Sequence, residues 1–171
     1  MSFSLVPDLL VDSLTDLTLD RLNELEISFL MLDFDNTIVP YTADCPTPEM
    51  EQWLGEILRS DVGICVVSNS KRMRVVEFCK ARGIACITHS KKPFQRGIQQ
   101  CQSKFCLDMS HTAMVGDQIY TDVLGGNCAG ARSILVRPIH LHNIWLRLRH
   151  WAEKPFIFLG KRRMRRKNCN I

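Results

Sequence analysis

The stretch FLMLDFDNTI, residues 29–38, decides the fold, because it places two aspartates at the end of an apolar run. The run ISFLMLDF, residues 27–34, has the length and composition of a strand that is buried on both faces of a sheet. Asp33 and Asp35 follow one residue apart, where that strand is expected to end. Two carboxylates fixed so close together repel each other unless a cation lies between them. This stretch therefore predicts a buried strand with a functional site at its end.

Strands and helices alternate outward from this stretch. Strands are predicted at 27–34, 63–69, 84–88, 111–117 and 132–138, and helices at 48–60, 70–83, from Pro93 to about Lys104, and at 118–129. Such alternation indicates βαβ units with right-handed crossovers and a parallel sheet. We therefore expect an α/β fold, with a doubly wound parallel sheet in three αβα layers.

Three regions are expected along the chain. Residues 1–26 contain the amphipathic stretch LLVDSLTDLTLDRL and predict a helical leader that packs on the core, outside the sheet. Residues 27–152 hold the predicted α/β domain, and residues 153–171 form a basic C-terminal tail. A chain of 171 residues is long enough to bury a core without disulfide or metal staples.

Cysteine spacing and the N-terminal sequence bound the class of protein. None of the eight cysteines forms a C-x-x-C pair, which excludes a zinc ribbon and a thioredoxin motif. The first residues lack the basic and apolar regions of a signal peptide, and no apolar run reaches membrane-spanning length. We expect a reduced, cytoplasmic protein.

Polar residues follow four of the predicted strands. They are Asp33 and Asp35, Ser68 and Asn69, Lys92, and Asp117 with Asp122. Taken singly, each group is typical of a turn, a helix cap or a solvated loop. In a parallel sheet, however, the carboxyl ends of the strands share one edge, and ligands bind there. The common position of all four groups indicates one site.

The residue types at this edge suit phosphoryl transfer. Carboxylate oxygens are the ligands that Mg²⁺ prefers, and a carboxylate can also attack phosphorus as a nucleophile. The negative charge spread over a phosphoryl group in transfer is stabilised by a metal ion, a lysine and hydroxyl donors. The pattern thus predicts one aspartate that attacks and another that moves a proton.

Four motifs carry a resemblance to a known family: DFDNT (33–37), VVSNS (66–70), KKP (91–93) and GDQIYTD (116–122). In this order they resemble the four motifs of the haloacid dehalogenase (HAD) superfamily of phosphohydrolases. The longer strings DFDNTIVPY and VGDQIYTDVLGGN, with the leader PDLLVDSLTDL, are similar to the class III, YqeG-like phosphatases. That group is related to phosphatidylglycerophosphate phosphatases, and the resemblance extends from about Pro7 to about Pro138.

The resemblance implies a Mg²⁺ cofactor and assigns roles to the four aspartates. Asp33 would be the nucleophile and a metal ligand. Asp35 would be the general acid and base, with its backbone carbonyl on the metal. Asp117 would be a metal ligand, and Asp122 would support the metal from the same loop.

The resemblance also implies a phosphate-binding set. Ser68 would donate a hydrogen bond to the phosphoryl group, with Asn69 beside it, and Lys92 would stabilise the charge on Asp33 and on the phosphoryl group. Asn36 and Thr37 would shape the loop that follows the nucleophile and contribute to phosphate binding.

The short intervals between motifs leave no room for a cap domain. Only 35 positions separate Asp33 from Ser68, and 24 separate Ser68 from Lys92. Small-substrate enzymes usually close over their ligand. We therefore expect an open site for a large substrate: a lipid headgroup, a phosphoprotein or the end of a nucleic acid. The loop at 39–49 is the local candidate for a partial lid.

The charge of the chain is divided unevenly. Residues 137–171 hold ten Lys or Arg and one acid, although the whole chain has a net charge of only +4. The favoured interpretation is that 156–167 docks on an anionic membrane surface, at the inner face of the membrane. A solubilising, disordered tail and a site for nucleic acid or ribosomes are the alternatives.

These patterns together predict a Mg²⁺-dependent phosphomonoester hydrolase that acts through an aspartyl-phosphate. The favoured substrate is large or lipid, such as phosphatidylglycerophosphate. The alternative is a HAD-fold binding module, or a phosphatase that acts on RNA, a ribonucleoprotein or a phosphoprotein through the basic tail.

Overall fold

A computed structural model describes residues 3–43, 45–71, 73–139 and 153–163. The strands are β1 (Leu9–Val11), β2 (Phe29–Leu32), β3 (Gly63–Val67), β4 (Ala85–Ile87), β5 (Thr112–Gly116) and β6 (Arg132–Val136). The helices are α1 (Leu19–Glu24), α2 (Pro48–Leu58), α3 (Met73–Ala81), α4 (Arg96–Phe105) and α5 (Leu124–Ala129), which a π-helical turn at Ile119–Val123 precedes. Each of the five predicted strands is present, two to four residues shorter than its predicted range.

The six strands form one parallel sheet in the order β1-β6-β5-β2-β3-β4. The strand β2 lies in the middle, where Leu30 pairs with Ile64 of β3 on one side and with Ala113 of β5 on the other. Helices α2 and α3 cover one face of the sheet, and α4 and α5 cover the opposite face. The predicted three-layer α/β fold is therefore confirmed.

The central strand is apolar throughout because both of its faces are covered. Leu30 and Leu32 belong to the core cluster beneath α2 and α3, whereas Phe29 and Met31 belong to the cluster beneath α4. Successive side chains of a strand point to opposite faces, so a strand between two helical layers needs apolar residues at every position. Asp33, the residue directly after β2, is therefore the first polar residue beyond the part of the strand that the two helical layers cover.

The leader differs from its prediction, since residues 9–11 are a strand and not part of a helix. The strand β1 extends the sheet, and its Leu9 pairs in parallel with Ile134 of β6. Leu9 and Val11 are buried while Leu10 is only partly so, which is the period-two pattern of an edge strand. Residues 9–11 form backbone hydrogen bonds to β6. These bonds outweigh the weak helical periodicity of so short a segment.

The first part of the predicted tail is helical. Residues 153–163 form a helix, here called the C-terminal helix, in which Glu153 and Gly160 are buried. Residues 164–167 of the predicted docking segment lie outside the described residues, as do residues 140–152 of the predicted α/β domain. Among the residues that are described, none of the helices has the length and hydropathy needed to cross a membrane.

The connections agree with the expected absence of a cap domain. Within the described residues, α2 is the only helix between β2 and β3, and α3 is the only helix between β3 and β4. The carboxyl edge of the sheet is consequently not covered by an inserted domain in this part of the chain.

Candidate active site

The predicted site residues meet at the carboxyl edge of the sheet, around a cavity of about 310 Å³. The cavity is lined by Asp33, Asp35, Tyr41, Ser68, Asn69, Ser70, Lys92, Gln118 and Thr121. Asp33 follows β2 directly, and its backbone N–H donates to the carbonyl of Val115 on the neighbouring strand β5 at 2.8 Å. The sheet itself therefore holds the backbone that carries Asp33.

Lys92 is the centre of the charge arrangement. Its ammonium nitrogen lies 2.8 Å from Oδ1 of Asp33 and 2.7 Å from Oδ1 of Asp122, and its side chain is almost completely buried. Carboxylate oxygens of Asp33, Asp117 and Asp122 all lie within 4.8 Å of one another, and all three residues are buried. The buried ammonium group thus lies against a group of three buried acids.

The pKa values of Asp33 and Lys92 both lie above their usual values, but for different reasons. Loss of hydration raises the pKa of Asp33 from 3.8 to about 7, with Lys92 opposing the shift and the charges of Asp122 and Asp35 adding to it. For Lys92 burial lowers the pKa, but the two carboxylates outweigh burial, so its pKa lies above the usual value. The lysine therefore stays charged, while Asp33 needs a further positive charge to be fully ionised at neutral pH.

The three clustered aspartates fit a divalent metal ion. Hard oxygen ligands from two or three carboxylates are the donor set that Mg²⁺ and similar ions prefer. A single ammonium group does not neutralise three buried carboxylates, which leaves negative charge for a cation to balance. Asp33, Asp117 and Asp122 would hold the ion. The side chain of Asp35 is outside this group.

Asp35 is held by an arginine that the sequence pattern did not single out. Nη2 of Arg74, on α3, lies 2.5 Å from Oδ1 of Asp35. Nη1 of Arg74 also donates to the carbonyl of Ala43 at 3.0 Å, and its guanidinium lies over the ring of Phe34. Arg74 therefore ties the second aspartate to the loop that follows it. No local signal in the sequence links two positions 39 residues apart.

The side chain of Asn69 is hydrogen-bonded to the loop that carries Lys92. Its Oδ1 accepts from the N–H of Lys92 at 2.7 Å and from the hydroxyl of Ser90 at 2.8 Å. Its Nδ2 donates to the carbonyl of Lys92 at 3.0 Å. Asn69 lines the cavity, but these contacts fix the backbone of Lys92.

Ser68 lines the cavity, whereas Asn36 and Thr37, in the turn after Asp35, are not among its lining residues. The hydroxyl of Ser68 is buried and accepts from the N–H of Ser70 at 3.0 Å, so its own O–H can donate into the cavity. Asn36 has a φ of 63°, a left-handed conformation that asparagine tolerates, and its N–H closes the turn onto Val39 at 2.8 Å. Thr37 lies within this turn and is buried.

Gly116 permits the close approach of Asp122. A Cβ atom at position 116 would lie 2.2 Å from Oδ2 of Asp122, well inside van der Waals contact. The same Oδ2 accepts from the N–H of Gln118 at 3.1 Å, which folds the loop back on itself. A side chain at position 116 would force this carboxylate away from Lys92.

We expect Gly116→Ala to lower metal affinity and activity by at least about tenfold, because the added methyl group displaces Asp122 from the cluster. Isothermal titration with Mg²⁺ and an aryl phosphate assay would measure both effects. Gly55→Ala is the matched control, since its Cβ would meet only the flexible side chain of Arg59 at 3.3 Å. It should stabilise helix α2 by about 0.5–1 kcal/mol and leave activity unchanged. Wild-type metal affinity in Gly116→Ala would contradict this account.

Comparison with known proteins agrees with this geometry. A family model described as HAD-hydrolase-like matches residues 90–138, which include Lys92, Asp117 and Asp122. The chain is 31% identical over 134 residues to the probable phosphatase YqeG of Bacillus subtilis, and the match covers 78% of each chain. The chain therefore belongs to the HAD-like hydrolase family and is an enzyme of its phosphatase class.

Solved structures share the fold at much lower identity. Deoxy-D-mannose-octulosonate 8-phosphate phosphatase (YrbI) from Haemophilus influenzae, solved in a cobalt-bound form, superposes with a TM-score of 0.52. It is 13% identical, and the match covers 66% of this chain and 70% of that one. A putative 3-deoxy-D-manno-octulosonate 8-phosphate phosphatase from Vibrio cholerae gives a TM-score of 0.53 at 15% identity, with 75% of each chain covered. At these identities the likeness concerns the fold alone.

Proposed function

We propose that the protein is a Mg²⁺-dependent phosphomonoester hydrolase in which Asp33 forms an aspartyl-phosphate. The observation that carries the proposal is the buried group of Asp33, Lys92, Asp117 and Asp122, placed at the end of the central strand. A bound Mg²⁺ would supply positive charge that keeps Asp33 ionised and offsets charge on the phosphoryl oxygens. In this arrangement Asp33 is both a metal ligand and the attacking group.

In the first step, a carboxylate oxygen of Asp33 attacks phosphorus and the bond from phosphorus to the leaving oxygen breaks. Asp35 gives its proton to that leaving oxygen. Lys92, at 2.8 Å from Asp33, and the hydroxyl of Ser68 stabilise the charge on the phosphoryl oxygens. The backbone carbonyl of Asp35 is proposed as a further metal ligand.

In the second step, water attacks the phosphorus of the aspartyl-phosphate and gives a proton to Asp35. The bond between phosphorus and Asp33 breaks, which releases inorganic phosphate and restores the Asp33 carboxylate. Asp35 has then regained the proton that it lost, so the cycle closes with one water consumed. Asn36 and Thr37 support this chemistry by fixing the turn that carries Asp35.

The proposed substrate is a large phosphomonoester, with a lipid such as phosphatidylglycerophosphate favoured. Exposed apolar side chains at the carboxyl edge support this choice: Met73, at the start of α3, is 65% exposed, and Phe94, two residues after Lys92, is 74% exposed. The exposed Lys71 and Lys91 lie beside them in sequence. Apolar groups flanked by cations suit the surface of an anionic lipid aggregate.

Phosphate release from phosphatidylglycerophosphate in mixed micelles, compared with p-nitrophenyl phosphate, tests the proposal. Each substrate is assayed with Mg²⁺ and with a chelator. Metal-dependent release from both substrates supports the whole proposal. Release from the aryl phosphate alone would keep the phosphatase and reject the lipid, and RNA ends and phosphoproteins would be assayed next. No release from any substrate would favour a binding module.

We expect the double substitution Met73→Ser and Phe94→Ser to lower turnover of the micellar lipid by about tenfold, because two apolar contacts with the interface are lost. Turnover of p-nitrophenyl phosphate should not change, since neither side chain lines the cavity. A matched double substitution of the exposed Leu19 and Leu58, Leu19→Ser and Leu58→Ser, serves as the control. Equal losses on both substrates would show that Met73 and Phe94 act on the fold.

Arg74 is proposed to set the position of Asp35. We expect Arg74→Ala to lower kcat by about 10- to 100-fold for alkyl phosphates, because the proton donor is no longer held in place. The loss should be smaller for p-nitrophenyl phosphate, whose leaving group needs little protonation. Arg74→Lys should recover part of the rate, since lysine can reach Asp35 but lacks the planar fork that also binds the loop.

A neighbouring arginine supplies the control for this experiment. Arg82 pairs with Glu51 at 2.9 Å and lies over the ring of Phe78, a setting close to that of Arg74. Arg82→Ala removes an equivalent ion pair and ring contact away from the cavity, so the relative rates on the two substrates should stay as in wild type. An equal loss on alkyl and aryl phosphates in Arg74→Ala would refute the assigned role.

The C-terminal helix bears on the proposed membrane docking through 156–167. Phe156 and Ile157 pack against the core beside Ile119, whereas Phe158 and Leu159 are exposed. Lys161 and the two following arginines are also exposed. Docking of this helix on an anionic leaflet remains a proposal, with peripheral attachment of an otherwise cytoplasmic protein as its consequence. Binding to nucleic acid through the same cations is the alternative.

A further inference from the structure

The only acid among residues 137–171 is buried, and it reaches the loop that carries two of the clustered aspartates. Glu153, the first described residue of the C-terminal helix, is 2% exposed. Its Oε1 accepts a hydrogen bond from the backbone N–H of Ile119 at 3.1 Å. Ile119 lies between Asp117 and Asp122 in the sequence. A residue 34 positions away thus contacts the centre of the metal-binding loop.

The contact with Glu153 satisfies a backbone N–H group at the beginning of a helical turn. The first N–H groups of a helical turn lack acceptors within that turn. In the turn that begins at Ile119, two carboxylates supply them: Asp122 accepts from the N–H of Gln118 at 3.1 Å, and Glu153 accepts from the N–H of Ile119. Ile119 is fully buried, so bulk water cannot replace Glu153 as the acceptor for the N–H of Ile119.

The helix that brings Glu153 is fixed at several points. The ring of Phe156 packs edge-on against Tyr120 of the same loop, with ring centroids 6.3 Å apart. Gly160 lies so close to the leader that a Cβ there would be 3.0 Å from Pro7. These contacts place Phe156 against the loop and Gly160 against the segment before β1.

Asp117 and Glu153 also line the same cavity. Both residues line a cavity of about 650 Å³ between the ends of β1 and β6 and the C-terminal helix. The buried acid and the proposed metal ligand therefore line one cavity, Asp117 from the loop and Glu153 from the C-terminal helix.

We propose that Glu153 is a positioning residue for the metal site: it fixes the turn at 118–122 and thereby sets where Asp117 and Asp122 present their oxygens. Glu153 itself is not among the three acids that cluster within 4.8 Å. The inference rests on the proposed metal-dependent function. It predicts that the C-terminal helix is required for metal affinity, in addition to any role of its basic face.

The test uses the full chain with Glu153→Ala, Glu153→Gln and, as a control on the same helix, Lys154→Ala at an exposed position. Hydrogen exchange of the amides at 117–123 is measured without metal, and Mg²⁺ affinity is measured by isothermal titration. For Glu153→Ala we expect exchange at 117–123 at least about tenfold faster and Mg²⁺ binding about tenfold weaker. Glu153→Gln keeps an oxygen acceptor and should stay within about threefold of wild type, as should Lys154→Ala.

Three results would overturn the inference. They are unchanged exchange at 117–123 in Glu153→Ala, unchanged Mg²⁺ affinity in that variant, or exchange that rises equally over the whole chain. Should Glu153→Ala fail to fold, Glu153→Asp, whose carboxylate is one methylene shorter, takes its place with the same expectations. If wild type itself bound no divalent metal, the proposed function would fail, whereas the metal-free exchange experiment would still decide whether Glu153 orders the loop.

Discussion

Replacement of Asp33 by asparagine is expected to lower phosphate release by at least about 10⁴-fold, because the amide cannot attack phosphorus and form the aspartyl-phosphate. The substitution preserves shape, and the backbone of residue 33 is held by β5. Activity should fall equally on p-nitrophenyl phosphate and on any lipid substrate, since both need the same attacking group. Single-turnover assays with Mg²⁺ would measure the loss.

The same variant has an expected effect on stability that shows whether it is folded. Burial raises the pKa of Asp33 to about 7 in the folded, metal-free protein, against 3.8 as the ordinary value. A group with a raised folded pKa stabilises the fold below its unfolded pKa, and this contribution is lost as the pH rises through about 7. The amide in Asp33→Asn does not ionise. Without metal, the variant should therefore unfold at a higher temperature than wild type at about pH 8.

Asp61→Asn is the matched control for this prediction, because Asp61 is exposed and lies before β3, at the opposite edge of the sheet. It should have wild-type activity and a wild-type dependence of stability on pH. A folded Asp33→Asn enzyme that kept more than about a hundredth of the activity would refute the role of Asp33 as the nucleophile.

The sequence predicted which side chains meet at the carboxyl edge of the sheet better than it predicted the N-terminal strand of that sheet. Asp33, Ser68 and Asp117 follow strands of four or five residues whose apolar runs are visible in the sequence, and parallel topology then dictates that they meet. Lys92 comes five residues after the three-residue strand β4, and its motif KKP singled it out. The strand β1 has only three residues, so no periodicity could distinguish it from the helical pattern around it. Its place beside β6 follows from long-range hydrogen bonding, which a local pattern does not contain.

Contacts that support the site were missed for a similar reason. Arg74 and Glu153 act on residues 39 and 34 positions away, and neither belongs to a motif. A weak signal did exist for Glu153, because a single acid within a strongly basic segment is unusual and could indicate a specific contact. Arg74 is one of several basic residues that follow the second motif in the sequence. Only the structure shows that it is the one that contacts Asp35.

Replacement of Lys92 by methionine is expected to separate catalysis, stability and metal binding. The substitution keeps an unbranched side chain but removes the cation that lies 2.8 Å from Asp33 and 2.7 Å from Asp122. We expect kcat to fall by about 10²- to 10³-fold, since charge on the phosphoryl group loses a buried positive partner. In the metal-free protein near pH 8, the free energy of unfolding should fall by about 3–5 kcal/mol, because Asp33 and Asp122 lose their buried cation.

Metal affinity should change in the opposite direction. With Lys92 absent, the three aspartates keep their negative charge and lose a cation that repels Mg²⁺, so Mg²⁺ should bind at least as tightly as in wild type. Saturating Mg²⁺ should also recover part of the lost stability, since the ion binds only the folded cluster. Isothermal titration and urea unfolding with and without Mg²⁺ would measure both effects.

The adjacent lysine provides the control that makes this result specific. Lys91 is exposed, whereas Lys92 is 4% exposed. Lys91→Met should therefore leave kcat for the aryl phosphate, stability and Mg²⁺ affinity unchanged. If Lys92→Met bound Mg²⁺ much more weakly than wild type, the lysine would be ordering the aspartates, and its charge would not be what competes with the metal. If Lys91→Met lost activity in its place, the catalytic lysine would be the other member of the pair, and the buried ion pairs of Lys92 would be structural.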